Sequence, residues 1–246
     1  MPLLDHALAR LATHGLAGPR DVAVNACYRA DQLAAHVAGR AHLSVEPGPP
    51  ALGTSGALAQ LRSWIAGRAV LALNADAYLS GAGIQDLAPL LQDWDGRTVR
   101  VLTVPAGDRP AEFNGTRRFA GVSLVPADLV AALAPGPSAL VLTIWRPAER
   151  AGRLELVEYD GVYIDTGTPA DYLAANLHSI DARGASIVSP EADVTGRVDR
   201  SVVGAGAVVA GSVTRCVVLP GATVAASEVL SDAVRLGPDV TVRVTV

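Results

Sequence analysis

Lysine is missing from this chain: all twenty basic residues are arginine. Lysine offers a phosphate a compact point charge and arginine a planar fork of donors, so any phosphate clamp here must use arginine, backbone amides or a metal ion. Cysteine is scarce as well. The two present, Cys27 and Cys216, stand alone in apolar strings with no CxxC spacing and no histidine cluster nearby. That argues against a disulfide framework or a zinc site and for buried small hydrophobes in a reducing compartment. No stretch approaches the about eighteen apolar residues of a membrane span. The opening Met1-Pro-Leu-Leu-Asp-His is broken by charge too early for a secretion signal. These absences lead us to expect a soluble, cytoplasmic protein with no membrane partner. A basic footprint is lacking too: the net charge of -4 and pI near 5.7 argue against nucleic acid as the main partner. A small phosphorylated ligand remains compatible.

What the chain does have is apolar mass and alternation. Half of its 246 residues are apolar, enough for a substantial core. Leu3, Leu4, Ala7, Leu8 and Leu11 fall at helical spacing that closes at Gly15. There follow an expected strand over 21–27, a helix over 31–37, a strand over 42–45, a helix over 55–64 and an unalternating apolar run over 69–74, as for a strand covered on both faces. Strands over 99–104 and 119–125, a helix over 126–133, a hairpin over 154–164 turning at Asp160-Gly161 and a helix over 169–177 complete the first part. Strands separated by helices predict an α/β fold over residues 1–180: a Rossmann-like, mostly parallel sheet with helices on both faces and ligands bound at the carboxyl ends of its strands.

From about residue 181 to 246 the composition turns to Val, Ala, Gly and Ser. Pro190-Glu-Ala-Asp-Val194, Ala205-Gly-Ala-Val-Val209 and Pro220-Gly-Ala-Thr-Val224 recur at fifteen-residue spacing, and valines recur every five or six residues. This is the pattern of a short coil-stacking β-helix and is similar to the left-handed hexapeptide type. Open-ended coils cannot bury a core alone, so the stack should dock on the first domain or on another subunit, which is compatible with a homo-oligomer.

Three segments carry candidate chemistry. Asp76, in Asn74-Ala-Asp76, follows the buried strand over 69–74, where a hard oxygen donor could face the cleft and suit magnesium. The same pattern is ordinary turn chemistry. Asp165 ends another strand before Thr166-Gly-Thr-Pro169, in which Thr168 caps a helix and Pro169 starts it. The cap leaves Asp165 unexplained, and a carboxylate in an apolar strand needs a compensating cation, so a metal ligand is favoured. Leu52-Gly-Thr-Ser-Gly-Ala-Leu58 joins a strand to a helix. Its glycines let the backbone approach a flat ligand, and the helix start presents free amides, although Thr54 is also a good cap. The histidines His6, His14, His36 and His42 suit solvated or packed positions. None follows His178 to serve as the base of a hexapeptide-repeat acyltransferase.

With these residues in view, the chain resembles the sugar-1-phosphate nucleotidyltransferases, the group of mannose-1-phosphate guanylyltransferase and glucose-1-phosphate thymidylyltransferase. The likeness runs through Glu46 to Leu58, Asn74 to Asp76 and Asp165 to Tyr172, with Ala75 where the family has glycine. It implies that a nucleoside triphosphate and a sugar 1-phosphate are joined into a nucleoside diphosphate sugar, with pyrophosphate leaving. Glu46, Leu52, Gly53, Thr54 and Asn74 would bind nucleotide or substrate, while Asp76 and Asp165 would hold Mg2+. Such chemistry rests on positioning and charge neutralisation rather than on a covalent nucleophile. The family's opening strand and G-x-G-x-R-L-x-P loop have no counterpart in these residues. The expectation is therefore either a polypeptide that starts upstream or a non-catalytic sugar-nucleotide-binding or regulatory relative.

Overall fold

The computed structural model describes residues 2–81 and 87–244. The chain divides into two compact units, 1–163 and 164–246.

The first unit opens with α1 (Leu3–Thr13), the expected amphipathic helix. Its Leu4, Leu8 and Leu11 pack with Val22, Val37, Ala41 and Leu43. β1 (Ala23–Ala26) and β2 (His42–Val45) form a parallel pair, with α2 (Ala30–Val37) as the crossover between them. The chain continues through α3 (Gly53–Gln60), α4 (Arg62–Ile65), β3 (Val70–Leu73), β4 (Ala77–Ser80), α5 (Ala88–Leu91), β5 (Val99–Pro105), β6 (Arg117–Val125) and α6 (Ala127–Ala131). A π-type turn, Val141–Trp145, then runs into α7 (Arg146–Arg150), β7 (Leu154–Glu158) and β8 (Val162–Asp165), within which the unit ends.

The principal sheet has the order β3-β6-β5-β7. β3, β5 and β7 share a direction, and β6 runs against both of its neighbours. Val99 and Val101 of β5 enter one apolar layer with Leu58, Ile65, Val125, Ile144 and Trp145. Beyond a bulge, Leu102 and Val104 enter the other with Leu79, Leu87, Leu90 and Val122. Both faces are thus covered, and burying each such side chain stabilises by about 1.5–3 kcal/mol.

Two topological expectations are corrected here. The sheet is mixed rather than mostly parallel, because residues 106–116 contain no crossover helix. They fold back as a loop, closed by the Ala106 amide donating to the Thr116 carbonyl at 2.9 Å, and a short return makes neighbours antiparallel. Residues 154–164 are not a hairpin either: β7 pairs with β5, and β8 pairs with β4. The chain does turn at Gly161, but a Cβ there would lie 2.5 Å from the Ser80 carbonyl, so glycine serves the approach of β4.

The second unit begins with α8 (Pro169–Arg183), capped as expected. The Asp171 amide donates to Thr168 Oγ1 at 3.1 Å, and Gly184 in left-handed conformation ends the helix. The helix outruns the expected 177. Leu173 packs with Val217 and Val234, which places α8 with the coils, so the unit boundary precedes the helix instead of falling at 180.

The coils are built from β9 (Ile187–Val188), β10 (Asp193–Val194), β11 (Arg197–Asp199), β12 (Val202–Val203), β13 (Val208–Val209), β14 (Ser212–Val218), β15 (Thr223–Val224) and β16 (Val229–Arg235). They stack in parallel register, with Ile187, Val202, Val217 and Val234 in one column and Val194, Val209 and Val224 in another. β17 (Thr241–Arg243) returns antiparallel along β16. Val203, Val209, Val213, Val218 and Val224 fill the interior.

One corner of each coil is built without glycine. Arg200, Arg215 and Asp232 adopt φ of 40°, 54° and 48°, and two carboxylate pairs hold this corner: Arg200 with Asp181 at 2.7 Å and Arg215 with Asp232 at 2.6 Å. Each corner turns the next residue inward, and that residue's amide bonds to a side chain one coil below. Ser201 N donates to Ser186 Oγ at 3.2 Å, and Cys216 N donates to Ser201 Oγ at 2.9 Å. The second bond lies in a water-excluded interior, where an orphaned amide is expensive. Ser201→Ala should therefore destabilise the protein by about 1–3 kcal/mol, measured from urea unfolding curves. An unchanged midpoint would show that the ladder contributes nothing.

Candidate active site

The site residues expected from sequence occupy three local structures. The first is the end of β3. The Asn74 amide donates to the Gly121 carbonyl at 2.8 Å, extending the β3–β6 ladder by one rung. The Ala77 amide then donates to the Asn74 carbonyl at 3.2 Å, closing a turn that leaves Ala75 and Asp76 exposed. Gly121 has φ of 78°, and a Cβ there would meet Ala77 Cβ at 2.7 Å. Asp76 is therefore offered at the carboxyl end of β3 because β6 carries no side chain beneath the turn. The turn chemistry is present, with Asn74 acting through its backbone carbonyl.

The second structure surrounds Glu46, which is 5% exposed. Asn25 Nδ2 donates to its Oε1 at 2.7 Å, and the Leu52 amide donates to its Oε2, also at 2.7 Å. Burial alone would push this carboxyl up, but the donors from Asn25, Leu52 and the Cys27 thiol outweigh it and hold Glu46 below the usual carboxylate range. The same neighbourhood raises the Cys27 thiol, through burial first and then through Glu46. Both carboxylate oxygens are thus engaged within the protein. Glu46 positions the 46–52 loop.

At the start of α3 the glycines meet protein backbone. Cβ atoms at Gly53 and Gly56 would lie 2.6 Å from the Ser138 carbonyl and 2.4 Å from the Gly136 carbonyl. The Ser138 amide donates to the Leu52 carbonyl at 2.8 Å, and the Ser138 carbonyl accepts from the Ser55 amide at 3.1 Å. Leu52, not Thr54, occupies the cap position, and no side chain caps the helix; the Ser138 carbonyl serves instead. Both backbone groups of Leu52 are used by the fold, while Gly53 and Thr54 are exposed. The 136–138 partner lies far along the chain, and no local signal announced it.

The third structure belongs to the second unit. Asp165 ends β8 and is exposed; among the described residues its Oδ1 accepts a long bond from the Gly167 amide, 3.3 Å. An apolar strand therefore forces no compensating cation on Asp165, because the residue is exposed. Its oxygens remain hard donors of the kind magnesium takes. Among the described residues no three His, Cys, Asp or Glu side chains gather into a metal cage. Magnesium does not require one, since it is commonly held by one or two carboxylates with water and phosphate oxygens.

With this geometry in place, comparison with known proteins is informative about fold. No protein-family model and no curated protein sequence matches the chain. Solved structures do. The mannose-1-phosphate geranyltransferase from Thermus thermophilus superposes with a TM-score of 0.62 at 17% identity, covering 98% of this chain and 84% of that one. A protein from Bacillus anthracis, assigned as a glucose-1-phosphate thymidylyltransferase and crystallised with a sucrose, gives 0.58 at 15% identity over 74% of this chain and 83% of that one. This chain has their fold. No helix among its described residues is long and apolar enough to cross a membrane.

Two outcomes test the local reading. Glu46→Gln should cost about 1–3 kcal/mol at neutral pH, because an amide donor would then face another donor. A carboxyl held below its ordinary value stabilises fully above that value, about 4.3, and loses its effect as pH falls through the folded pKa. The variant's urea midpoint should accordingly fall less steeply than the wild type's between about pH 5 and 3. Gly56→Ala should lower the thermal midpoint through the clash with the Gly136 carbonyl, by the equivalent of about 1–3 kcal/mol. An unshifted midpoint would mean that the 136–138 loop yields freely.

Proposed function

We propose that this chain is a sugar-1-phosphate nucleotidyltransferase, forming a nucleoside diphosphate sugar and pyrophosphate from a nucleoside triphosphate and a sugar 1-phosphate. The observation that carries the reading is the turn of residues 74–77, which offers Asp76 at the carboxyl end of a strand in a fold shared with proteins named for mannose-1-phosphate and glucose-1-phosphate.

The start of α3, with Gly53 and Thr54 exposed and Glu46 fixing the loop behind them, suits a flat base; Asn74 suits the substrate cleft. Asp76 and Asp165 would hold Mg2+, which, when bound, supplies positive charge against the phosphates. In the reaction an oxygen of the sugar phosphate attacks the α-phosphorus in line, the new O–P bond forms, and the bond to the β-phosphate oxygen breaks to release pyrophosphate. The protein's own contribution is to bind and orient both substrates. We place this activity in the cytoplasm, with no nucleic-acid or membrane partner. The coil stack is of the left-handed hexapeptide type and is available for self-association.

A second reading, a sugar-nucleotide-binding or regulatory relative without turnover, is favoured by one observation. Both carboxylate oxygens of Glu46 and both backbone groups of Leu52 are engaged within the protein instead of being left for a nucleotide.

Assaying pyrophosphate release across nucleoside triphosphates and hexose 1-phosphates with Mg2+ separates the two. The first reading expects release, with Asp76→Asn and Asp165→Asn each slowing it by about a hundredfold or more. Calorimetric binding of a nucleotide sugar without any release decides for the second.

A further inference from the structure

The start of α3 is weak on its own terms. Two of its first residues, Gly53 and Gly56, are glycine, and glycine gives up more backbone freedom on ordering than any other residue. No side chain caps the helix. What holds it is the segment 136–143 behind it. The Ser138 carbonyl accepts from the Ser55 amide at 3.1 Å, and the Ser138 amide donates to the Leu52 carbonyl at 2.8 Å.

One bond between side chains completes this attachment. Ser55 is sealed from water, and its Oγ lies 2.7 Å from Thr143 Oγ1. Thr143 Oγ1 in turn donates to the Ala139 carbonyl at 3.2 Å. A hydroxyl carries a single hydrogen, so the Ser55 hydroxyl is the donor of the pair and Thr143 the acceptor. Thr143 stands in the π-type turn 141–145, a winding frequent at functional sites, and is itself exposed, whereas Ile144 and Trp145 enter the apolar layer. Stability of the turn does not call for threonine there, because bonding back to a carbonyl four residues earlier slightly destabilises a helix. What that back-bond achieves is to leave the Thr143 oxygen free to accept from Ser55.

We propose that Thr143 is a positioning residue for nucleotide. By holding the Ser55 hydroxyl it keeps the exposed Gly53 and Thr54 in the arrangement that a flat base meets, so that binding does not have to order the helix start. That a nucleotide sits there rests on the nucleotidyltransferase reading; the hold of 136–143 on 52–55 does not.

Isothermal titration with Mg2+ and ATP, CTP, GTP, UTP or dTTP, and with inorganic triphosphate, using wild type, Thr143→Val and Thr143→Ser, tests this. For the nucleoside triphosphate that wild type binds most tightly, Thr143→Val should weaken binding by about tenfold. Thr143→Ser, which keeps the hydroxyl, should restore it. Inorganic triphosphate, which has no base to place, should bind wild type and Thr143→Val alike. The proposal is overturned if wild type binds none of the five nucleotides, if Thr143→Val binds nucleotide as wild type does, if it weakens nucleotide and triphosphate equally, or if serine restores nothing. Should the valine variant not fold, Ser55→Ala replaces it, and wild-type nucleotide affinity there overturns the proposal. Pyrophosphate release by wild type with unchanged affinity in Thr143→Val removes this inference alone. Thr143-dependent binding without release keeps it and removes the nucleotidyltransferase reading.

Discussion

The carboxylate of Glu46, enclosed and gripped by Asn25, Leu52 and Cys27, is the interaction on which the arrangement around α3 depends. It joins the end of β1 to the residue that begins the helix, so the intervening prolines and glycine follow one path. With the start of α3 fixed, Gly53 and Gly56 can close on residues 136–138, and Leu58 can reach the apolar layer beneath the sheet. A buried ion would ordinarily penalise the fold. Here three donors supply what water would have given, and the group stays charged because of them.

Much of this was legible in the sequence wherever the signal was local. The amphipathic period of α1, the bounds of β2 and the Thr168 cap each depend on residues a few positions apart. The coil stack was legible because its period repeats. Strand direction was not, since it depends on how a connection travels and not on what the strand contains: Val99–Pro105 and Arg117–Val125 read alike whether parallel or antiparallel. The glycines of 53–56 were open to two meanings, ligand approach or protein approach, and only their partner at 136–138 distinguishes them. Asp165 misled for a related reason. Apolar neighbours in sequence suggested burial, yet the last residue of a strand can leave the layer its predecessors occupy.

The all-arginine composition has a structural use besides any ligand. Several guanidinium groups gather the carbonyls that helices and loops leave unpaired. Arg68 takes those of Ile65, Trp64 and Arg20 near the end of α4, and Arg100 takes those of Leu90 and Gln92 at the end of α5. Arg146 reaches Glu112, and Arg153 reaches Arg97. One planar group with five donors can serve several acceptors at fixed angles, which an ammonium does less well.

The inward ladder of Ser186, Ser201 and Cys216 constrains how this tail can change in length over evolution. Each step hands an amide to an oxygen one turn below, with residues 202 and 217 in the same column. An insertion or deletion of a few residues would shift the phase and set a methyl group where an acceptor is needed. Gain or loss of an entire turn would preserve every contact. The coil is thus free to lengthen or shorten only in quanta of one winding, and the helix that packs on its flank would meet the same surface after each such change.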